Sequence, residues 1–275
     1  MLVRVHAAAI TRGELEWAID RLPAIPSYEL SGVIAALGRG VDDIAIGEAV
    51  YGLCGFDRDG AAADYTVVPK DSVAPKPRTL GHVESAVIPL PALSAWQGLF
   101  DHGNLRAGQR VLIHGAAGGV GSFAVQLAHG CGAHVIGTVS SENVEAVRQL
   151  GADEAIDHTA ARFEDAVDLV DLVFDTVGGD RLERSLAVLR SGGRLISVAA
   201  EPSKERAAER NVTAIYFVVR SNREQLIQIA KLVDNGALRP TLDQVFPLAD
   251  AATAFQRSIG RHDRGKIVLR VLDER

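Results

Sequence analysis

The chain has 275 residues, a formal net charge of -6, and 47% hydrophobic and 23% charged residues. This composition is typical of a globular protein and argues against disorder and coiled coil. The acidic balance, without a Lys/Arg-rich patch, argues against nucleic-acid binding.

No apolar run reaches the roughly 18–20 residues needed to span a bilayer, and the N-terminus lacks the pattern of a signal peptide. We therefore expect a soluble, cytoplasmic protein with no membrane partner. Two cysteines are too few for a disulfide framework or a cysteine-rich zinc site. The length suits two domains of roughly 100–150 residues.

From Met1 to about Pro89, many glycines and prolines separate short runs rich in Val, Ile and Tyr. Three of these runs are Leu30–Leu37, Glu48–Leu53 and Asp64–Val68. Short strands between turn residues indicate an antiparallel barrel or sandwich.

After Pro91 the pattern changes to apolar strands that alternate with helices, which indicates right-handed crossovers and a doubly wound parallel sheet. The predicted strands are Arg110–His114, His134–Val139, Ala155–Asp157, Leu169–Asp175, Arg194–Ala199 and Val212–Val219. The predicted helices between them are Ser94–His102, Val120–His129, Ser141–Leu150 and Arg181–Leu189. Near the end, an amphipathic helix over Glu224–Asp234 stops before Gly236, and the strand Lys266–Val271 could return to the first domain.

The strongest motif lies between the first strand and the first helix of this second region. Ala116, Gly118 and Gly121 have the spacing of the dinucleotide fingerprint, with alanine in the first glycine position. Gly118 lets the backbone approach a pyrophosphate, and Gly121 lets the helix pack against the strand. The amide groups at the start of the helix then face the anion.

The end of the next strand suggests which dinucleotide binds. NAD sites usually carry an acidic residue there, but this strand ends with Ser140 and Ser141, and a carboxylate appears only at Glu142. Serine hydroxyls can donate to a 2′-phosphate, and His158, after the third strand, could stack on adenine or bind the phosphate. Alternatively, His158 is a surface residue at a strand end. These residues favour NADPH.

Several segments in the order expected resemble the zinc-free quinone-oxidoreductase branch of the medium-chain dehydrogenase/reductases. Together they span nearly the whole chain: Pro26–Gly32, Gly60–Tyr65, Leu93–Leu99, Ile113–Val125, Leu150–Asp153, Asp175–Gly179, Gly192–Gly193 and Arg264–Leu269. The resemblance implies a GroES-like catalytic domain (residues 1–92 with 222–275), a Rossmann domain (residues 93–221), and a homodimer.

The resemblance also implies roles for individual residues. Thr11 would stand beside the nicotinamide, where many relatives have asparagine, and is the candidate catalytic residue. The implied cofactor contacts are Ser94, Ala117, Gly118, Gly119, Val120, Gly121, Ser140, Ser141, His158, Thr176, Val177, Ala199, Phe217, Val219 and Lys266. The chain has Ser27-Tyr28-Glu29 where zinc-dependent members have Gly-His-Glu, so we expect no metal. Val144 replaces a lysine that many relatives use, which weakens the NADPH preference.

We therefore expect hydride transfer from NADPH to a small quinone or enone acceptor. Two alternatives are a double-bond reductase of a biosynthetic pathway on the same fold and a non-catalytic NADPH-binding protein. No side chain stands out as a general acid. Glu14 and Trp17 are candidates for the pocket wall, although a buried structural role is favoured for Trp17.

Members of the family normally begin with further strands before the one that starts here at Leu2. If the chain is a shortened form, we expect Leu2–Ala8 to leave an open sheet edge. The first domain should then be the less stable one.

Overall fold

The computed structural model describes residues 1–17, 22–259 and 264–272. The chain divides into two compact units, one of Met1–Leu93 with Arg220–Arg275 and one of Ser94–Val219. The strands are Leu2–Ile10 (β1), Glu29–Ala36 (β2), Ala49–Leu53 (β3), Tyr65–Val67 (β4), Val73–Pro75 (β5), Arg110–His114 (β6), His134–Val139 (β7), Glu154–Asp157 (β8), Val170–Asp175 (β9), Leu189–Ser197 (β10), Thr213–Tyr216 (β11), Leu242–Pro247 (β12) and Lys266–Arg270 (β13). The α-helices are His82–Ala86 (α1), Pro89–Trp96 (α2), Gly119–Gly130 (α3), Val144–Gln149 (α4), Phe163–Ala166 (α5), Asp180–Arg184 (α6), Lys204–Glu209 (α7), Arg223–Asp234 (α8) and Ala251–Ile259 (α9).

Strand β1 lies inside the sheet of the first unit, whose order is β12-β13-β1-β2-β3-β5. On one side, β1 pairs antiparallel with β2 from Leu2 to Ala9. On its other side, β4 pairs with the first residues of β1 and β13 pairs with Ala7 to Ile10. The expectation of an open edge at Leu2–Ala8 is therefore wrong, because two separate strands share that edge. The lower stability expected of the first domain stays a prediction.

The closing segment completes this first unit. Strand β13 pairs antiparallel with β1 and parallel with β12. Between β12 and β13, helix α9 packs Ala254 and Phe255 against Ile10, Ile267 and Leu269. The prediction that the last strand returns to the first domain is confirmed, and this return places Lys266 beside the end of β1.

The second unit contains a parallel sheet in the order β8-β7-β6-β9-β10-β11. Its strands contribute buried apolar residues such as Leu112, Ile136 and Val173 to one core. The strand order reverses between β6 and β9, and in doubly wound sheets the crevice at the carboxyl ends of the strands near such a reversal binds ligands. The doubly wound sheet predicted from the sequence is confirmed.

Three helices differ from their predicted bounds by more than one residue at an end. The helix expected over Ser94–His102 begins earlier, at Pro89, because a proline without an N–H group suits the first turn of a helix. Its α-helical part ends at Trp96, and Gln97–His102 continues it as a π-helix. The helices expected over Ser141–Leu150 and Arg181–Leu189 are shorter and each adjoins a 3-10 turn. In both turns a serine or asparagine side chain makes a local hydrogen bond that competes with the regular helix.

Trp17 is 36% exposed, so the prediction of a buried structural role for this residue is wrong. Its indole is 5.8 Å from the Tyr28 ring and 5.3 Å from the Phe56 ring. These contacts leave part of the indole uncovered. Among the described residues, no helix has the length and apolar composition required to cross a membrane.

Candidate cofactor site and buried lysine cluster

The turn between β6 and α3 is shaped by three glycines. Gly115 has φ +70°, a left-handed conformation that favours glycine. A Cβ on Gly121 would lie 2.1 Å from the Gly115 carbonyl oxygen and 2.8 Å from the Cα of Ala116, so the helix packs directly on the turn. Gly118 precedes the helix and has no side chain to cover its first amide groups. This geometry fits a pyrophosphate at the helix N-terminus.

The sequence prediction took Ala116 as the first position of the fingerprint and overlooked Gly115. The positive φ of Gly115 lets the chain turn at the end of β6, and Gly118 donates its N–H to the Gly115 carbonyl over 2.9 Å. The run of glycines starting at Gly115 is the signal that could have found it. Ala117, Gly118, Gly119, Val120 and Gly121 all lie in this turn or in the first turn of α3.

Ser140 and Ser141 follow β7, and their hydroxyls already have protein partners. Ser141 donates to the carboxylate of Asp157, the last residue of β8, and Ser140 donates to Glu142 over 3.3 Å. The hydroxyls of Ser141 and Thr159 lower the pKa of Asp157 to about 2, so this carboxyl is ionised at neutral pH. His158 comes directly after it.

Asp157 is a candidate site residue that the sequence analysis missed. The parallel pairing of β7 with β8, in which Val139 lies opposite Asp157, brings this carboxylate to the site. Because parallel strands end at the same edge of a sheet, the last residue of the third strand lies beside the last residues of the second.

The end of β9 is held by a buried carboxylate, Asp175. It accepts from the backbone amides of Val177 and Gly178 and from the Ser197 hydroxyl, which donates over 2.9 Å. The same Ser197 hydroxyl accepts from the amide of Ala199. Asp175 therefore organises both loops that carry Val177 and Ala199, and sequence reasoning missed it because a buried aspartate at a strand end has no distinctive spacing.

The remaining predicted contacts of the second unit are Thr176, Phe217, Val219 and Ser94. Thr176 donates its hydroxyl to the His114 carbonyl over 2.7 Å, which ties the loop after β9 to the end of β6. Phe217 and Val219 follow β11 and are buried. Most of the predicted residues thus follow the carboxyl ends of parallel strands. Ser94 differs, because it lies buried within α2.

In the first unit, a buried cluster surrounds Lys266, and we call Thr11, Glu14, Glu29 and Lys266 the lysine cluster. The pairing of Ile10 with Ile267 and of Ala9 with Glu29 brings the ends of three strands together. Lys266 is 8% exposed, and its ammonium contacts the Glu29 carboxylate and lies 3.1 Å from the Thr11 hydroxyl oxygen. Thr11 is only partly buried.

The two carboxylates of the cluster are held by amide groups. Glu29 accepts from the Leu90 amide over 3.0 Å, and Glu14 accepts from the amides of Thr11 and Ser27 over 2.9 and 2.8 Å. Burial lowers the pKa of Lys266, and attraction by Glu14 acts in the opposite direction. Burial raises the pKa of Glu14, against the hydrogen bonds it accepts. The sequence analysis named Thr11 and Lys266 for different roles and left their contact undetected.

Comparison with known proteins agrees with this architecture. Residues 1–78 match the alcohol dehydrogenase GroES-like domain, and residues 150–269 match the zinc-binding dehydrogenase family. An NADPH-dependent alkenal/one oxidoreductase of Arabidopsis thaliana is 33% identical, over 98% of this chain and 71% of that protein. The quinone oxidoreductase of Mus musculus is 29% identical, over 98% of this chain and 88% of that protein.

A solved structure of the quinone oxidoreductase from Coxiella burnetii gives a TM-score of 0.90 at 32% identity, covering 99% of this chain and 90% of that one. The chain belongs to the medium-chain dehydrogenase/reductase superfamily. As a member of this superfamily it is an NAD(P)H-dependent oxidoreductase that acts on a small molecule. The predicted combination of a Rossmann sheet with a GroES-like domain is confirmed.

Some medium-chain dehydrogenase/reductases bind zinc, and the described residues around Glu29 do not fit that metal. Tyr28, which the sequence resemblance matches to a histidine of zinc-dependent members, is buried among aromatic rings. The Glu29 carboxylate is engaged by Lys266 and the Leu90 amide. In the part of the chain that the structure describes, no three His, Cys, Asp or Glu side chains are grouped to hold a metal ion.

Proposed function

We propose that this chain reduces an enone or a quinone with a hydride from NADPH, without zinc. The observation that carries the proposal is the turn after β6, where the Gly121 position leaves no room for a side chain and the helix N-terminus is open to an anion. The acceptor class is supported by the relatives named for alkenal/one and quinone substrates.

The residues that follow the parallel strands would hold the dinucleotide along its length. Ala117–Gly121 would bind the pyrophosphate through backbone amides, and Ser140, Ser141 and His158 would lie near the 2′-phosphate. Thr176, Val177 and Ala199 would border the riboses, and Phe217 and Val219 the nicotinamide. When bound, the cofactor supplies the hydride.

We assign the acceptor carbonyl to the Thr11 hydroxyl, because the family resemblance implies that Thr11 stands beside the nicotinamide. The neighbouring Lys266 ammonium, 3.1 Å away, makes this hydroxyl a stronger hydrogen-bond donor. A donor of this kind stabilises the negative charge that develops on the acceptor oxygen during hydride transfer.

The glycine turn is tested by Gly121→Ala. A Cβ at this position overlaps the Gly115 carbonyl oxygen, so we expect NADPH binding to weaken at least about tenfold, an effect of about 1.4 kcal/mol. Binding is measured by quenching of tryptophan fluorescence. The matched control is Gly130→Ala at the other end of α3, where a Cβ meets no atom within 4 Å. Equal affinity in both variants would refute the assignment.

The choice between NADPH and NADH is tested at Asp157. Its ionised carboxylate beside Ser141 repels a 2′-phosphate, so we expect a modest NADPH preference that increases in Asp157→Ser. Ser140→Asp should reverse the preference. Asp168→Ser, an exposed position before β9, makes the same charge change as a control. Equal affinity of the unmodified protein for both cofactors contradicts the proposal.

The acceptor is tested with panels of enones and quinones at fixed NADPH, before and after dialysis against a strong chelator. We expect turnover with at least one panel and no loss on dialysis. Absence of turnover with both panels, with NADPH still bound, would favour a non-catalytic binding protein.

The partner expected of this chain is a second copy. Among the described strands, β11 pairs only with β10, so its other edge is free to pair with another strand. Tyr216, the last residue of β11, and Val218, two residues beyond it, are 42% and 56% exposed. We expect a dimer by sedimentation and a monomer in the double variant Tyr216→Lys, Val218→Lys. A monomeric parent protein would contradict this expectation.

A further inference from the structure

Reduction of an enone requires a proton as well as a hydride, and the lysine cluster offers a source for it. Lys266, Glu14 and Glu29 are buried, and Thr11 is the member with part of its surface open. The Thr11 hydroxyl donates to Glu29 over 3.2 Å and lies 3.1 Å from the Lys266 nitrogen. It is therefore the outlet of the lysine cluster, meaning the group through which a proton passes between the buried charges and the surroundings.

We propose that Lys266 supplies the proton of enone reduction through the Thr11 hydroxyl, with Glu29 as the residue that positions both. This inference rests on the proposed function. Thr11 is the catalytic residue, because it would touch the acceptor, and Lys266 acts only through it.

The proton step balances with the hydride that the cofactor provides. Hydride addition to the β-carbon moves the electrons of the double bond toward the carbonyl and leaves an enolate. The Thr11 hydroxyl, freed from Glu29 and from the carbonyl oxygen, then turns to the α-carbon of the enolate. Its O–H bond breaks as the proton passes to that carbon, and a Lys266 N–H bond breaks as its proton passes to the Thr11 oxygen. The products are the saturated ketone and a neutral lysine amine, which regains a proton from water through Thr11.

The electrostatics of the cluster suit this step. Lys266 is faced by Glu29 from β2 and Glu14 from the turn after β1, while β12 pairs with it through Leu242. Burial lowers the pKa of Lys266 and so makes its ammonium a better acid. One carboxylate oxygen of Glu29 accepts hydrogen bonds from both the Lys266 ammonium and the Thr11 hydroxyl, which keeps these two groups close together.

The first experiment uses the protein without cofactor. Exchange of the Lys266 ammonium protons with water is measured by ¹⁵N NMR in the parent protein, Thr11→Val and Thr11→Ser. If Thr11 is the outlet, exchange slows at least about tenfold in Thr11→Val and is restored in Thr11→Ser. Unchanged exchange in Thr11→Val overturns the relay, whether or not the protein reduces any acceptor.

The second experiment compares acceptors. A quinone accepts its protons on oxygen, which water supplies readily, whereas the enone needs one on carbon. We expect the ratio of enone to quinone turnover to fall about 10²-fold in Thr11→Val and Lys266→Met, the usual range for a lost general acid. Thr11→Ser should retain the ratio.

Stereochemistry provides the sharpest readout. With an α-methyl enone in D₂O, the parent protein should deliver deuterium to one face of the α-carbon, and Thr11→Val should give both faces. A single face in the variant, or an equal loss with both acceptors, overturns the relay. Lack of turnover of both acceptors by the parent protein would instead count against the proposed function.

Discussion

The two units each bury a polar centre, and the two centres are built differently. In the second unit, His114 lies at the end of β6 with Nδ1 3.0 Å from the Thr138 hydroxyl and Nε2 2.9 Å from the Ser185 hydroxyl. Burial lowers the pKa of His114 to about 3, so the ring is neutral at neutral pH. In the first unit, Lys266 is buried against Glu29.

The difference shows how each centre contributes to the protein. Neutral hydroxyls satisfy both nitrogens of His114 without burying a charge. The free-energy cost of burying this side chain is therefore small, as expected of a purely structural site. Burial of Lys266 with carboxylates carries a desolvation cost that apolar residues would avoid. A cluster of that kind is better explained by a role in chemistry than by stability.

The largest effect should come from breaking the charged centre. Lys266→Met leaves the buried carboxylate of Glu29 without its counter-ion, and we expect the free energy of unfolding to fall by about 3–5 kcal/mol. The double variant Lys266→Met, Glu29→Gln should recover much of that loss, because the unpaired charge is gone. Urea unfolding measures both. A double variant no more stable than the single one would show that charge is not the cause.

A pH-dependent effect should distinguish the neutral centre. His114 has a pKa near 3 when folded and an ordinary value of 6.5, so between these values the unfolded chain binds more protons. Stability should therefore fall as pH decreases from 6.5 toward 3, by at most about 1.4 kcal/mol per unit from this residue. His114→Gln cannot take up this proton and should show a flatter profile of unfolding free energy against pH. Parallel profiles would contradict the neutral assignment.

A smaller effect is expected where the closing segment meets the first unit. The buried Tyr51 hydroxyl donates to the Leu226 carbonyl of α8 over 2.6 Å. Tyr51→Phe removes this bond, and we expect a loss of about 1 kcal/mol in the free energy of unfolding. Tyr65→Phe, at a side chain that is 50% exposed, is the control and should change little. Equal losses in the two variants would argue against a specific role for the buried hydroxyl.

The smallest effect concerns a surface ion pair of the second unit. Arg184 lowers the pKa of Glu164 to about 2, so the pair stabilises the fold above pH 4.5 and this contribution is lost as pH falls toward 2. Because the Arg184 side chain is 42% exposed, Glu164→Gln should cost at most about 1 kcal/mol at pH 7. In thermal unfolding, the difference in melting temperature between variant and parent should be smaller at pH 3 than at pH 7. A difference that is equal at both pH values would contradict the pair.

The fold was largely predictable because its signals are local. Alternating strands and helices after Pro91 predicted the parallel sheet, and the spacing of Gly118 and Gly121 predicted the cofactor turn. The end of a helix before Gly236 was also correct, since α8 ends at Asp234 and Gly236 has φ +78°. Each of these features depends on backbone geometry within a few residues.

The candidate site was predictable only in part because its contacts are distant in sequence. The contact of Lys266 with Thr11 joins residues 255 positions apart, and that of Ser141 with Asp157 joins two strand ends. The edge predicted at Leu2–Ala8 was wrong for the same reason, since β4 and β13 fill it from different parts of the chain.

The sequence by itself determined the class of sheet, the glycine turn and the family, because these depend on periodicity and local sterics. Tertiary structure alone decided which polar groups meet. Pairing of β1 with β2 and β13 brought Thr11, Glu29 and Lys266 together, and pairing of β7 with β8 put a carboxylate beside Ser141. The physical reason is that hydrogen bonds and ion pairs act over a few ångströms, and strand register sets those distances.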